Sequence, residues 1–249
     1  MVLQVAHAET QVSPSEEAAD RLALQIAAGA YRPGDRLPSV RRLSEVLAIN
    51  PSTVQVVLAR LASLGFVEAR RGVGFLVRDV ERDGGIEVWS HIFRFAQQLP
   101  DRAAKIFADL LALRRTVVVD QVRAIAREPR RYRSDGVERA VERFALLVAH
   151  DEDPLALATA ELAAFRELTL AVGNSAVTAV LNSVSLVYLS EPNAVRAMYS
   201  DPRLHVDLWR GLLEAWRGET LEERAAIELD GFLATFDAAV IARYRANLG

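Results

Sequence analysis

Apolar residues recur at three- and four-residue steps along most of the chain, the signature of amphipathic helices. The pattern differs in one place. Between Leu37 and Val77 two short helical patterns are followed by two short apolar runs around glycines. Ser39 can cap the first of these helices, which carries Leu43, Val46 and Leu47 on one face. Asn50 and Pro51 restart the chain as N-cap and first helical residue of the second. Val54, Val57, Leu58 and Leu61 fall at helical spacing in it, and Gly65 can end it. Phe66 to Arg70 and Phe75 to Val77 read as strands, with Arg71-Gly72-Val73-Gly74 as a tight turn between them. Helix, turn, helix and a basic hairpin make the layout of a winged helix-turn-helix, which reads duplex DNA.

Upstream, Ser13, Pro14 and Glu16 have the spacing of a capping box, and a helix runs from there to about Gly29. Met1 to Val12 are too short and too polar for a signal peptide and read as a frayed arm. Arg78 to Ile86 is polar, with Gly84-Gly85 inside it, and reads as a hinge. Beyond it, helices are expected at Glu87–Leu99, Asp101–Arg127, Ser134–His150, Pro154–Val172, Ser175–Leu189, Ala194–Tyr199, His205–Arg217 and Leu221–Asn247. Prolines and a Gly173-Asn174 break punctuate them, so a helical bundle with room for a small-molecule cavity is expected. The fold class is therefore mainly α: a winged helix-turn-helix domain over 1–78, a linker over 79–86 and an all-helical ligand-binding and dimerisation domain over 87–249.

Charge sharpens this division. The net charge of −3 looks wrong for a nucleic-acid binder until it is located. From Pro14 to Arg78 nine arginines face six acids, which is +3, so the remainder carries −6. A basic head on an acidic body suits a regulator whose body stays off the DNA. Hydrophobic residues make up 51% of the chain, enough for a large core. Cysteine is absent, which removes disulfides, thiol nucleophiles and cysteine metal sites. No run of about eighteen apolar residues appears, so no membrane span is expected and a cytoplasmic location is.

The chemistry of the helix-turn-helix fits its layout. A recognition helix must open with small polar groups so that it can sit deep in the major groove, and its free N–H groups meet phosphate. Here it opens Asn50, Pro51, Ser52, Thr53, and Gln55 is long enough to reach a base edge. Arg41 precedes it with a fork for phosphate or guanine. Arg70 and Arg71 crown the hairpin, and Gly72 lets the backbone come close to DNA.

The run RPGDRLPSVRRLSEVLAINPSTVQVVLARLASLGFVEARRGVG, within Glu16 to Val77, resembles the DNA-binding domain of the GntR superfamily of bacterial transcription regulators. The resemblance implies that Arg41, Asn50, Ser52, Thr53, Gln55, Arg71 and Gly72 touch DNA. Pro51 and Gln55 stand where many fatty-acid-type members carry arginine, so base preference is expected to differ.

The helical half resembles the effector domain of the fatty-acid-responsive (FadR-type) branch. Ala108 to Arg114 looks like its early helix with a single buried arginine. Phe165-Arg166-Glu167-Leu168, Ala171-Val172-Gly173-Asn174 and Leu181-Asn182 look like its central run. Many members hold a divalent metal with an Asp and three His. The corresponding positions here are Leu162, Arg166, one near Trp209 and one near Asp230, which cannot bind a metal in that way. No metal and no cofactor is expected. Arg166 in place of His resembles the acyl-CoA-binding regulator, which implies a mainly apolar cavity with Arg114, Arg166, Asn182, Tyr188 and Gly231 as ligand-binding candidates. The resemblance implies a homodimer on a palindromic double-stranded DNA operator. Its effector would be a fatty acyl-CoA or related lipid or, alternatively, a small organic acid such as a sugar acid or dicarboxylate, with or without a metal. An enzyme fused to such a head would need a longer second domain and a cofactor lysine. Lys105 is the single lysine and no catalytic constellation stands out.

Overall fold

A computed structural model describes residues 13–249. The expected N-terminal arm, with His7, lies outside them. Contacts divide the chain into two compact units, one ending at Ile92 and the other running Phe93–Gly249.

The first unit is built from α1 (Pro14–Ala27), α2 (Val40–Leu47), α3 (Pro51–Ser63), β1 (Val67–Arg70) and β2 (Gly74–Val77). Its local signals act as the sequence suggests. Ser13 and Glu16 close a reciprocal capping box on α1. Ser39 caps α2 through the N–H of Arg42, and Asn50 caps α3 through that of Thr53. Gly65, just past α3, has φ +85, the left-handed backbone that ends helices. β1 and β2 pair antiparallel with Val67 opposite Val77 and Arg70 opposite Gly74. Arg36 adds a bridge to Leu76, so the loop before α2 widens the wing. Leu22, Ile26, Leu43, Val54, Leu58, Leu61 and Phe66 form the core. Val46 was expected beside Leu43 but is 55% exposed. α2 is short and packs on α3 alone among its major contacts, which leaves it a narrow buried strip.

Residues 79–85, expected as a hinge, form a hydrogen-bonded turn. The Asp79 carboxylate accepts from the N–H groups of Glu81 and Arg82, and Arg78 donates to the carbonyl of Asp83. A Cβ on Gly84 would sit 2.2 Å from the carbonyl oxygen of Val80, so glycine is required there. α4 (Ile86–Arg94) follows, and the division between the units falls inside it. Its first half belongs to the head. His91 is buried, shares a 2.9 Å hydrogen bond with Asp20 of α1 and meets Phe66 edge-on. The helix ends at Arg94 rather than Leu99. The residue before a proline is driven out of helical conformation, and Leu99, ahead of Pro100, has φ −131 and ψ 57.

The second unit holds α5 (Pro100–Arg127), α6 (Asp135–Ala149), α7 (Pro154–Val172), α8 (Ser175–Leu189), α9 (Pro192–Met198), α10 (Pro202–Arg217) and α11 (Glu223–Leu248). Proline stands in the first turn of four of them, where its missing N–H costs nothing. α5 and α11 run antiparallel, tied by Phe107 on Tyr244, Arg114 to Asp237 and Arg127 to Glu223. α7 lies against α5, α6, α8 and α9 and is the central helix of the bundle.

Candidate DNA-binding face and buried effector site

Two places in the molecule carry polar groups that folding alone does not explain. The first is the exposed end of α3 with the wing beside it. Pro51, Ser52, Gln55 and Val56 are exposed, while Val54, Val57, Leu58 and Leu61 are buried. The Asn50 side-chain oxygen accepts three hydrogen bonds, from the Thr53 N–H, the Thr53 hydroxyl and the Ser52 hydroxyl. These three residues form a closed cap, so their role is to hold the helix end rigid. The Gln55 side chain makes no hydrogen bond to any described residue. Arg41 is 92% exposed; it and Arg42 flank Glu45, at 3.6 and 3.1 Å. At the wing, Arg70 leans on Glu68 at 3.3 Å, and exposed Arg71 makes no ion pair with any described residue. Gly72 has φ +77 and open space around it, so the turn needs glycine for its backbone conformation. The structure thus brings Arg41, Asn50, Ser52, Thr53, Gln55, Arg70, Arg71 and Gly72 to the surface of the head.

The second place is buried in the bundle. Glu161, 4% exposed on α7, accepts from the Tyr199 hydroxyl at 2.6 Å, the Trp209 indole N–H at 2.9 Å and His205 Nδ1 at 3.0 Å. Burial alone pushes its carboxyl up. The charge and hydrogen bond of His205, with the Tyr199 hydroxyl, outweigh that and hold it at about 2. Opposite, Arg114 donates to Asp237 at 2.6 Å, and Arg115 approaches the other oxygen of Asp237 at 3.7 Å. Burial pushes Asp237 up while both guanidinium groups oppose it. The 2.6 Å contact to a guanidinium is the geometry of an ionised pair, and we read it so.

Two cavities flank this seam. One, of about 70 Å³, is lined by Val118, Phe165, Leu208, Leu233 and Phe236, and His205 and Trp209 close it. The other, of about 50 Å³, is lined by Phe107, Leu110, Leu181 and Tyr188. Arg114, Glu161 and Phe165 border both. Arg114 Nε, His205 Nε2 and the Tyr188 hydroxyl are buried there without hydrogen-bond partners among the described residues. Burial raises the Tyr188 phenol well above its ordinary range, so it is neutral and can donate.

Of the ligand candidates named from sequence, Arg114 and Tyr188 line a cavity. Three do not. Arg166 lies one residue past Phe165, which turns it to the surface, where it donates to exposed Asn182 at 2.8 Å. Gly231 is exposed, and a Cβ there would meet nothing within 4 Å, so no neighbour presses on the helix. Arg114, on the cavity wall, pairs with Asp237 of α11. Glu161, His205 and Asp237 were missed. The available signal was a lone acid on an otherwise apolar helix face, Glu161 with Phe165 and Leu168. Among the described residues, no group of three or more His, Asp or Glu side chains could hold a metal. Leu162 and Arg166 occupy two of the family's ligand positions, so the residues present do not fit that ion.

Comparison with known proteins agrees with this geometry. Residues 14–77 match the model of the bacterial regulatory proteins, gntR family. Those residues form a GntR-family domain. The transcriptional regulator Mce2R of Mycobacterium tuberculosis is 38% identical over 79 residues, 32% of this chain and 33% of that protein. The match to that relative therefore spans about a third of its length. The fatty acid metabolism regulator protein of Pectobacterium carotovorum is 27% identical over 197 residues, 78% of this chain and 77% of the relative. That similarity extends well beyond the head. The solved structure of Lar, described as controlling expression of the Listeria monocytogenes agr system, is 12% identical with a TM-score of 0.52. It covers 93% of this chain and 96% of its own and speaks for the fold alone.

Proposed function

We propose that this GntR protein is a ligand-responsive transcription regulator that binds a palindromic operator as a dimer. The observation that carries the reading is the α3 face: a capped, exposed helix end in the same compact unit as exposed Arg41, Arg70 and Arg71. Each head would place α3 in one half-site. Apolar side chains left exposed on the bundle, Leu186 on α8 and Ile227 on α11, are available for pairing two copies. Such a regulator works in the cytoplasm, where the chromosome is. No single described helix is long and apolar enough to cross a membrane.

The effector we propose is a fatty acyl chain, as acyl-CoA or a related lipid. What supports it is the lining of both cavities by aliphatic and aromatic side chains, and the pairing of the seam's charges with each other. Either cavity is below the roughly 300 Å³ of an ordinary small-molecule site. A ligand therefore enters by displacing Phe165 or Arg114, which with Glu161 border both cavities. That displacement is how binding would reach the helices and, through them, the heads. A small organic acid is the second reading, favoured by the unpartnered Nε of buried Arg114.

Replacing Arg41 and Arg71 together by Ala should abolish specific operator binding with the melting temperature unchanged. Retention of tight binding would refute the DNA assignment. Mass spectrometry of the purified full chain, native and then denatured, decides the effector. A co-purified acyl chain supports the lipid, and a small acid supports the rival.

A further inference from the structure

Burial divides α3 into two faces. Val54, Val57, Leu58 and Leu61 are at most 1% exposed. Pro51, Ser52, Gln55, Val56, Ala59 and Ser63 are exposed. With 3.6 residues per turn, those six fall within an arc of roughly 140°. Not one of them is charged. The cations lie off the face: Arg41 and Arg42 on α2, Arg70 and Arg71 on the wing, and Arg60, which is held to Glu16 at 2.9 Å.

The chemistry of base edges gives this neutrality a meaning. Guanine presents two acceptors in the major groove and is read above all by the Arg or Lys fork. Adenine presents an acceptor beside a donor and is read by Asn or Gln. Thymine alone presents a methyl group. Asn50 cannot present a free amide pair, because its oxygen is committed to the cap. Gln55 can. Val56 is 58% exposed, an isopropyl group left in water on a helix where valine is a poor former. Pro51 and Ala59 extend the same uncharged surface.

We infer that α3 reads A·T pairs, with the Gln55 amide on adenine N6 and N7 and the Val56 methyls against a thymine methyl. The two side chains leave the helix about 100° apart, so they address neighbouring base pairs. The arginines at the rim hold the phosphates and set the depth of the helix, and they carry no sequence information at these positions. This rests on the DNA-binding reading above.

The test begins by selecting bound duplexes from a randomised pool with the full-length protein. Thymines in the selected half-site are then replaced one at a time by deoxyuridine, which removes only the methyl. Expected are two adjacent A·T pairs in each half-site, and one position where uracil weakens binding about fourfold, the value of one methyl returned to water. Val56→Ala should abolish that fourfold difference. Gln55→Ala should weaken binding at the adenine by about 5- to 150-fold, and Gln55→Arg should move the selected base toward guanine. All substitutions are on exposed positions, and an unchanged melting temperature confirms that the head remains folded. Half-sites fixed by G·C pairs throughout, or no effect of methyl removal at any position, overturn this inference and leave the DNA reading standing. Failure to enrich any duplex overturns both.

Discussion

The head and the bundle handle polar groups in opposite ways. On the head, the functional side chains are exposed and their bonds are local: Asn50 caps its own helix, Arg41 touches Glu45 four residues on, and Arg70 touches Glu68. In the bundle they are buried and their bonds are distant in sequence. Glu161 is held by Tyr199, His205 and Trp209, and Arg114 by Asp237. An exposed site can lose a residue at small cost to the fold, because water replaces most of what the lost partner supplied. A buried one cannot, because each remaining group is left unpaired where desolvation is costly. The head is built to meet a large, charged, hydrated surface. The bundle holds its polar groups in bonds with one another.

That contrast can be broken by mutation. The largest effect is expected from Glu161→Ala, which leaves His205, Tyr199 and Trp209 without their shared acceptor. Loss of one partner from a buried pair costs about 3–5 kcal/mol, measurable by urea unfolding of the full chain. Operator affinity below the transition should be unchanged. Acid should act on the same group. The folded pKa of Glu161, about 2, lies below the ordinary value of 4.5. An acid depressed by folding stabilises above its unfolded pKa and loses that contribution as pH falls through the folded one. Melting temperature should therefore fall between pH 4.5 and 2, and Glu161→Gln should flatten that limb.

Smaller effects are expected at the surface. Asn50→Ala removes the α3 cap and should cost about 1 kcal/mol of stability, read by thermal melting, and weaken operator binding through a frayed helix end. Arg166→Ala is expected to shift stability by less than about 0.5 kcal/mol and to leave effector binding untouched, because its Asn182 partner is exposed. A large effect on ligand affinity would bring Arg166 back to the cavity.

The same contrast explains what could be read from sequence. The head's devices are local: Ser13, Ser39 and Asn50 act on residues two or three places away, and the prolines and glycines set backbone conformations that need no partner. The helices of the bundle were legible for the same reason, to within a few residues. The seam was not. Pairing of Glu161 with His205 spans 44 residues and that of Arg114 with Asp237 spans 123, and helical periodicity says which face is buried without saying which faces meet. The fate of Arg166 shows the limit of the resemblance. The family motif was matched residue by residue, but a one-residue step along α7 separates the cavity wall at Phe165 from the exposed surface at Arg166.

Hydrogen–deuterium exchange on the full chain, with and without its selected operator duplex, tests the assignment of function to the head most directly. Slowed exchange on adding DNA is expected at the start of α3, around Asn50 to Val56, and at the wing, around Arg70 to Gly74. Slowed exchange confined to the bundle, with α3 and the wing unchanged, would contradict it.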